Sequence, residues 1–552
     1  MFHFKEEKIV VTSALPYANG EIHLGHVVST YLPADIFTRF LKLNGNKAFH
    51  ICGTDDFGVP VLIKAEKEGK KPAELVKEFW EKDKKDLKSA GIDFDVFSQT
   101  SSEENIELVQ YFFQELNKKG FIFTQQVEQY YCQNDKKFLP DRYVIGNCPF
   151  CGKENQYGDV CENCGRTYAA TDLKDPKCAI DGSVPIRKKS LHYFFKLSKF
   201  DKKLKDWMEN NKNLQPEVTN YLLQWIKEGL RDWDITRDIS WGVKIPLKEA
   251  DGKVLYGWFD NHLGYISFTL KLLKDKKIDG KKFWNDAKIY HFIGKDIVYH
   301  HYLFLPAMRM GEGSFKLPDV LPVRGHLLLQ GHKFSKSRGV YIGLREFLES
   351  FPADYLRYYL ASITPYDQSE INFNWDEFQA KINNELVATL GNFIHRAISF
   401  INSTFEGEVP KPKEYDDLDN EFIKKIGGIG KEVGDEIEKN EIQRGLKKIL
   451  EFGAFCNQYF QKKEPWKTKD PTSLYLSIKA VRALAILLYP YVPFASEKLW
   501  KQLNFKGEVS DQKWDSISEI KIRPKHKIQK AEILFRKVED EEIKIQKDKL
   551  PK

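Results

Sequence analysis

The beginning of the chain constrains the fold more than any other segment. Residues 8–15 form a short apolar run rich in β-branched side chains, which predicts a buried parallel strand. Pro16 ends this run, and after a loop a helical pattern extends from about His23 to Leu43. A C-cap at Asn44-Gly45 and a second buried strand over residues 47–52 follow. This order of strand, loop, helix and strand is typical of a parallel α/β sheet.

The same alternation continues along the chain. Pro72 and the capping-box pattern Ser101-x-x-Glu104 predict the starts of two more helices, and strands are expected near residues 289–293 and 321–329. Between them, residues 121–232 combine aromatic and polar alternation with clustered cysteines, which predicts an inserted, mostly β domain. The fold class is therefore α/β, with a Rossmann-type doubly wound parallel sheet that the insertion splits.

The C-terminal part of the chain has a different pattern. After Pro352, amphipathic helical periods run to about Leu503, so an all-α helical bundle is expected there. Roughly the last thirty residues are strongly charged and predict a surface strand followed by a tail.

Composition sets few limits on function. At 552 residues the chain is too long for one core, so several packed units are expected. Its 86 Lys and Arg against 79 Asp and Glu give a net charge of +7, which permits an anionic partner without requiring one. No secretory signal is visible, and the apolar stretch at residues 483–492 is too short to cross a bilayer. We expect a cytoplasmic protein without a membrane anchor and with reduced cysteines.

Two histidines mark the loop after the first strand, in the sequence His23-Leu24-Gly25-His26. A helix N-terminus at this place favours a phosphate through its backbone N–H groups and dipole. His23 and His26 lie three residues apart, so they share one face of the first turn and can both donate to phosphate oxygens. Gly25 lets a base or sugar approach the backbone. The alternative, two surface histidines at a helix start, fits the strand-loop-helix context less well.

A second motif, Lys333-Phe334-Ser335-Lys336-Ser337, follows a later strand. Two lysines on a loop can neutralise charge that develops on a triphosphate. Alone, this pattern is more typical of a solvated basic loop. Together with the histidine motif on the same kind of sheet, it predicts a nucleotide site.

Four cysteines have the spacing Cys-x2-Cys-x9-Cys-x2-Cys: Cys148, Cys151, Cys161 and Cys164. Two such turns can hold one tetrahedral zinc ion, and four thiolates leave no open position for catalysis. We therefore predict one structural Zn²⁺. The other four cysteines are scattered and are expected to be buried and chemically silent, with Cys178 as a weak competing ligand: Cys52, Cys132, Cys178 and Cys456.

The two nucleotide motifs together resemble the class I aminoacyl-tRNA synthetases, whose signatures are His-x-Gly-His and Lys-Met-Ser-Lys-Ser. Phe334 stands where methionine is usual. Residues 14–20, 52–56, 258–260, 291–297 and 357–360 are similar to the methionyl enzymes in particular, and the likeness runs from about residue 8 to the tail.

The resemblance implies a ligase that activates methionine with ATP and Mg²⁺ and transfers it to tRNA(Met). Its catalytic residues would be His23, His26, Lys333 and Lys336, which stabilise negative charge on the phosphates, and Asp296 would bind the ribose. The ATP site would consist of His23, Gly25, His26, Gly294, Asp296, Lys333, Ser335, Lys336 and Ser337.

The resemblance also implies a methionine site. Asp55 would hold the substrate ammonium, and the side-chain pocket would be formed by Ala14, Leu15, Tyr17, Trp258, Tyr265, Ile297 and His301. Aromatic rings with one weak donor suit a thioether better than charges do, although each ring taken singly is equally compatible with core packing. Phe57 stands where the family often has His, and Asn261-His262 replaces a more usual Ala-Pro beside the pocket.

Three residues in the helical part are anticodon candidates. Asn392 and Arg396 lie one helical turn apart, and Trp466 follows Pro465. Without the resemblance these are ordinary helix residues. By the resemblance they would read the CAU anticodon, with Trp466 stacking on an unpaired base.

The expected domain boundaries follow from these assignments. They are the catalytic sheet at 1–118 and 233–325, the connective insertion with its zinc knuckle at 119–232, the second-signature and stem-contact region at 326–375, the helical anticodon-binding domain at 376–505 and a C-terminal extension at 506–552. No dimerising oligonucleotide-binding domain follows, so we expect a monomer, with a separate tRNA-binding partner chain as an alternative.

Two other functions fit parts of the sequence. A class I synthetase for leucine, valine, isoleucine or cysteine would share the sheet, but the branched-chain enzymes carry a large editing insertion for which little room exists, and the cysteinyl enzymes place zinc differently. A non-catalytic RNA-binding descendant of a synthetase is the other alternative, and the intact His23, His26, Lys333 and Lys336 argue against it.

Overall fold

A parallel sheet lies at the centre of the catalytic part. The computed structural model describes residues 7–158, 161, 163–164, 166, 168–250, 252–256, 258–334, 340–519 and 522–550. Five strands form the sheet, in the order Val323–Arg324, Lys288–Gly294, Lys8–Ser13, Lys47–Thr54 and Val96–Gln99, and every pairing is parallel. The opening strand is central and the chain winds outward from it in both directions, which confirms the predicted doubly wound fold. In such sheets the ligand crevice lies at the carboxyl ends of the two strands where the winding reverses, here Lys8–Ser13 and Lys288–Gly294.

Helices cover both faces of this sheet. The helix after the opening strand is continuous, with a π-helical turn at Val27–Tyr31 between Leu24–His26 and Leu32–Leu43, and it ends at the predicted C-cap Asn44. The other helices of this part are Val59–Glu68, Pro72–Ser89, Glu103–Lys118, Trp258–Asp275, Gly280–Asp286 and Leu305–Glu312, the last preceded by a π-helical turn at His300–Phe304.

The insertion combines small antiparallel sheets with two helices. Its largest sheet has the order Trp233–Asp234, Ile186–Phe195, Ile122–Cys132 and Lys137–Phe138. A second sheet contains Gln156–Tyr157, Val144–Asn147 and Lys174–Cys178. A third sheet, beyond the predicted end of the insertion at residue 232, contains Thr236–Arg237, Val254–Leu255 and Val243–Lys244. The helices are Asp201–Asn210 and Pro216–Glu228. The expectation of a mostly β insertion therefore holds for its first part, while its end is helical.

A short sheet and two helices connect the catalytic sheet to the bundle. The sheet has the order His332–Lys333, Leu327–Leu329 and Ile371–Phe373, so the strand expected at residues 321–329 is interrupted. The connecting helices are Leu344–Ser350 and Ala353–Ile363. The bundle that follows contains the helices Trp375–Lys381, Asn392–Thr404, Asp417–Glu438, Ile442–Lys463, Pro465–Thr468, Pro471–Leu488 and Pro493–Gln502, the first two joined by a π-helical segment at Ile382–Gly391.

One bundle helix is apolar enough to raise the question of a membrane. Pro471–Leu488 has the length and hydropathy of a bilayer-spanning segment, but 89% of it is buried inside the protein. Its apolar side chains contact the neighbouring helices, as in the central helix of a bundle.

A buried ion pair joins the catalytic part to the bundle. Asp35 and Arg357 are each 1% exposed, and the Arg357 Nη2 donates to Asp35 Oδ2 at 2.7 Å. Arg357 also donates to the backbone carbonyls of Gly91, Pro490 and Tyr491. Since these groups come from both parts of the chain, Arg357 fixes their relative position.

Two local predictions were wrong. The helix expected to be capped by Ser101 begins at Glu103 with Ser102 as its N-cap, because the Ser101 hydroxyl instead donates to Asp56. The C-terminal segment is not a surface strand with a free tail. It packs on the bundle through the buried side chains of Phe535 and Val538 and ends in a helix at Asp540–Asp548, because burying its few apolar side chains is favourable.

Candidate active site

A cleft of about 740 Å³ opens at the carboxyl ends of the two central strands. Most of its lining comes from five segments: the loop after the opening strand, the start of the following helix, residues 294–297, residues 326–328 and residues 333–334; Trp258 and Glu370 complete it. This is the position that the strand order specifies for a ligand. The structure thus brings together segments that are far apart in the sequence.

The two signature histidines stack on each other at the helix start. Their ring centroids lie 3.7 Å apart, and the His23 N–H donates to His26 Nδ1 at 3.2 Å. A Cβ atom on Gly25 would lie 3.0 Å from the His23 ring, so a side chain there would crowd the stacked pair. The absence of a side chain at Gly25 therefore allows the two histidine rings to stack and also leaves space for a ligand.

The second signature touches the first. Lys333 is exposed at the end of the hairpin strand His332–Lys333, and Lys333 and Phe334 both line the cleft. The Phe334 ring lies 5.5 Å from the His23 ring, so the residue that departs from the usual methionine makes the contact between the two motifs. Ser335, Lys336 and Ser337 lie outside the residues that the structure describes.

The strand Lys288–Gly294 ends beside the same cleft. A Cβ atom on Gly294 would lie 2.6 Å from Asp296 Oδ1, so this position accommodates only glycine without a shift of Asp296. Asp296 Oδ1 accepts a hydrogen bond from His326 Nε2 at 3.3 Å, and both side chains are about half exposed. His326, which the motifs did not reveal, belongs to this wall of the cleft.

The predicted methionine residues form two layers. Five of them line the open cleft: Ala14, Leu15, Tyr17, Trp258 and Ile297. Tyr265 and His301 are buried behind them, and the Tyr265 hydroxyl lies 3.0 Å from His301 Nε2. His301 Nδ1 lies 3.0 Å from the Ile297 carbonyl, which can only accept, so Nδ1 carries the proton and Nε2 accepts from Tyr265.

Burial keeps the His301 imidazole neutral by lowering its pKa to about 4. A neutral ring behind aromatic walls is compatible with an uncharged thioether. Burial acts in the opposite direction on Asp55, which is 3% exposed: it raises the pKa of this carboxyl to about 7, while hydrogen bonds from Asn261 and the Phe57 backbone partly offset the rise.

Three further buried polar residues surround this pocket and were not among the predicted site residues. In the part of the chain that the structure describes, no side chain donates to the Asp260 carboxylate, and neither ring nitrogen of His262 or of His300 has a hydrogen-bond partner. Burial lowers the pKa of both histidines, and His300 stacks on Trp258 with ring centroids 3.9 Å apart. The sequence did point to this segment, since residues 258–260 resemble the methionyl enzymes and Asn261-His262 departs from them, but nothing in the sequence indicated His300.

The four predicted metal ligands come together in the insertion. The sulfur atoms of Cys148, Cys151, Cys161 and Cys164 all lie within 4.8 Å of one another. In each pair the second residue's N–H donates to the first sulfur, at 3.5 Å for Cys151 and 3.4 Å for Cys164. The chain thus holds a four-cysteine cluster that can bind a metal ion.

A second cluster corrects the expectation that Cys132 and Cys178 are scattered. Their sulfur atoms and the carboxylates of Asp135 and Asp181 also lie within 4.8 Å of one another. The turns match those of the first cluster, because the Asp135 N–H donates to the Cys132 sulfur at 3.3 Å. The repeated Cys-x2-Asp spacing is the signal that would have revealed this cluster.

Comparison with known proteins agrees with this geometry. The family described as tRNA synthetases class I (M) matches residues 9–398, which cover the cleft, the insertion and both signatures. The chain belongs to the methionyl class I tRNA synthetases. A second family, the anticodon-binding domain of tRNA ligase, matches residues 419–550.

Relatives match this methionyl synthetase over nearly its whole length. It is 44% identical to the methionine–tRNA ligase of Methanopyrus kandleri, over 99% of this chain and 82% of that protein. It is 45% identical to that of Pyrococcus horikoshii, over 97% and 76% respectively. Its fold is similar to that of Mycobacterium tuberculosis methionyl-tRNA synthetase bound by methionyl-adenylate, with a TM-score of 0.80, 23% identity and coverage of 96% and 100%.

Two of the three anticodon candidates of the synthetase are neighbours in the bundle. Asn392 starts the helix Asn392–Thr404 and is exposed, and Arg396 lies one turn later. The Arg396 guanidinium lies 5.1 Å from the centre of the Trp466 ring and 4.8 Å from that of Phe460. The structure thus brings Arg396 and Trp466 together, and the buried ring of Phe460 supports the Arg396 guanidinium from the core side.

Proposed function

We infer that the chain is a methionine–tRNA ligase, which activates methionine with ATP and transfers it to tRNA(Met) for the initiation and elongation of translation. The observation that carries this inference is the contact of Phe334 with His23 at a cleft, together with the buried polar residues Asp55, Tyr265 and His301 behind its walls. Relatives over nearly the whole chain support the same activity.

The activation step needs charge stabilisation more than proton transfer. The methionine carboxylate, ionised at neutral pH, attacks the α-phosphate of ATP; a new oxygen–phosphorus bond forms and pyrophosphate leaves. We assign the stabilisation of this charge to His23, His26, Lys333 and Lys336, together with the Mg²⁺ that accompanies ATP. Three of these residues lie in the described part of the chain, and all three line the cleft.

Adenosine binding is assigned to the wall formed by Gly294 and Asp296. The half-exposed Asp296 carboxylate can accept hydrogen bonds from ribose hydroxyls, and the missing side chain of Gly294 leaves the backbone open to the nucleotide. His326, which donates to Asp296, would hold this carboxylate in place.

Methionine recognition is assigned to the inner part of the site. The Asp55 carboxylate would bind the substrate ammonium, and the thioether would lie against Trp258 and the pair Tyr265–His301. Tyr265 donates to a neutral His301, so neither side chain of this pair carries a charge. These surroundings favour a substrate amino acid with an uncharged side chain of low polarity over one with a charged side chain.

The four-cysteine cluster is assigned to one structural Zn²⁺. Four thiolates at this spacing suit zinc and leave no coordination site for a substrate. Its role would be to hold the turns of the insertion together.

The region of the bundle around Asn392, Arg396 and Trp466 is assigned to anticodon reading. The partly exposed Trp466 ring offers a flat face for an unpaired base, and Arg396 supplies a cation between this ring and the buried Phe460 ring. Asn392 would add a polar contact to a base edge. A monomer in the cytoplasm, with the domain boundaries given above, completes the proposal.

The deciding experiment is ATP–pyrophosphate exchange by the purified protein with each of the common amino acids. Exchange mainly with methionine supports the proposal. Exchange driven by leucine, valine or cysteine would preserve the fold but overturn the pocket assignment. No exchange with any amino acid, combined with tRNA binding, would favour a non-catalytic RNA-binding protein.

A further inference from the structure

Asp55 is fixed relative to the first signature by its backbone. The Asp55 N–H donates to the Pro16 carbonyl at 2.8 Å, and the Asp55 carbonyl accepts from the Ala18 N–H at 2.9 Å. These bonds hold the Cα atom of Asp55 beside the loop that lines the cleft. The orientation of its carboxylate depends on two further contacts: a hydrogen bond from the Phe57 backbone N–H and one from a side chain.

The side chain that sets this orientation is Asn261. Its Nδ2 lies 3.0 Å from Asp55 Oδ2, and Asn261 is 4% exposed on the helix Trp258–Asp275. A carboxylate can only accept, so the amide nitrogen must face Asp55. The amide oxygen then points elsewhere, and in the described part of the chain this buried Oδ1 has no hydrogen-bond partner.

The other groups around Asp55 do not neutralise it. Among the residues that the structure describes, no Lys or Arg forms an ion pair with Asp55. The titratable groups that face it are two carboxyls and two phenols: Asp56, Asp260, Tyr17 and Tyr265. An ionised Asp55 therefore lacks a counter-charge, and a substrate ammonium would supply one.

We propose that Asn261 is the second residue of the ammonium site: its Nδ2 holds the Asp55 carboxylate, and its Oδ1 accepts a hydrogen bond from the ammonium of the amino acid. This proposal rests on the proposed function. A neutral amide suits the role better than Lys or Arg, because it orients Asp55 without competing for its charge. It also explains why a polar residue occupies a buried position beside the pocket.

The test compares methionine with 4-(methylthio)butanoate, which keeps the thioether and carboxylate but lacks the ammonium. In pyrophosphate exchange, Asn261→Ala should raise the methionine KM by about 10- to 100-fold, as for a lost hydrogen bond to a charged group. The inhibition constant of the analogue should change by less than about threefold, because the analogue makes no ammonium contact. The effect on KM should be larger at lower pH, since Asp55 without its amide donor ionises less readily.

Matched variants make this result decisive. Ser267 lies on the same helix as Asn261 and donates to Asn105 on a neighbouring helix; Ser267→Ala removes this buried hydrogen bond and should leave the methionine KM unchanged. If Asn261→Ala does not fold, Asn261→Ser takes its place. Serine keeps a polar group at this buried position, but its hydroxyl is too short to contact both Asp55 and the substrate ammonium. An unchanged methionine KM, or equal losses for methionine and the analogue, would overturn the role of Asn261. Failure of the unmodified protein to catalyse methionine-dependent exchange would instead overturn the proposed function.

Discussion

Replacing Asp35 by alanine should destabilise the protein strongly, although Asp35 lies outside the cleft. Its Oδ2 accepts from Arg357 at 2.7 Å and from Arg39 at 2.8 Å, and its Oδ1 accepts from the Asp93 N–H at 2.9 Å. Asp35→Ala leaves the Arg357 guanidinium buried without its counter-charge. Breaking a buried pair in this way costs about 3–5 kcal/mol.

Thermal unfolding measures this cost. If the unfolding unit is of ordinary domain size, each kcal/mol lowers Tm by roughly 2–4 °C, so Asp35→Ala should lower Tm by roughly 6–20 °C. The control is Asp286→Ala, which removes a 2.8 Å pair with Lys8 whose side chains are 41% and 44% exposed. An exposed pair contributes less than about 1 kcal/mol. Equal shifts for the two variants would refute the reasoning from burial.

The stabilisation by the Asp35 ion pairs should depend on pH in a defined direction. Burial alone would raise the pKa of Asp35, but Arg39 and Arg357 overcome this and hold it below its ordinary value. The ion pair therefore stabilises the fold above the unfolded pKa of about 3.9, and this contribution is lost as the pH falls toward the folded pKa. The difference between the unmodified protein and Asp35→Ala should shrink only in that acidic range.

Four further predictions concern the assigned sites. Lys336→Ala should lower the rate of adenylate formation by about 100-fold or more and change methionine affinity by less than about threefold; equal losses in pre-steady-state exchange and binding would contradict its role. Trp466→Ala should lower kcat/KM for tRNA charging by about 10- to 100-fold without affecting pyrophosphate exchange, and an equal loss with an altered anticodon would show that it does not contact the anticodon. Because burial raises the pKa of Asp55 to about 7, the methionine KM should rise as the pH falls below that value, and a flat KM profile there would oppose the assignment. Cys148→Ser should remove one zinc ion per chain and lower Tm, as measured by elemental analysis and thermal unfolding.

Periodic and local patterns were enough to predict the framework. The apolar run at residues 8–15 became the central strand Lys8–Ser13, and the amphipathic pattern after Pro352 became the helical bundle. The four clustered cysteines converge because each pair lies in one tight turn. Such features depend on backbone propensity and burial within a few residues, which a sequence displays directly.

Some features near the site were not visible in this way. The choice of Ser102 over Ser101 as N-cap depends on Asp56, which captures the Ser101 hydroxyl from a different strand end. Likewise, Cys132 and Cys178 are far apart in the sequence, and only the pairing of the insertion strands brings their Cys-x2-Asp turns together.

The sequence by itself determined the parallel sheet, the two signatures and the cysteine cluster, because each is encoded by neighbouring residues. Only the tertiary structure decided that Phe334 packs on His23, that Asn261 holds Asp55 across 206 residues, and that Arg357 pairs with Asp35 across 322 residues. The physical reason is that hydrogen bonds and ring contacts act over a few ångströms. Which distant side chains come within that range depends on how the strands, insertion and bundle pack.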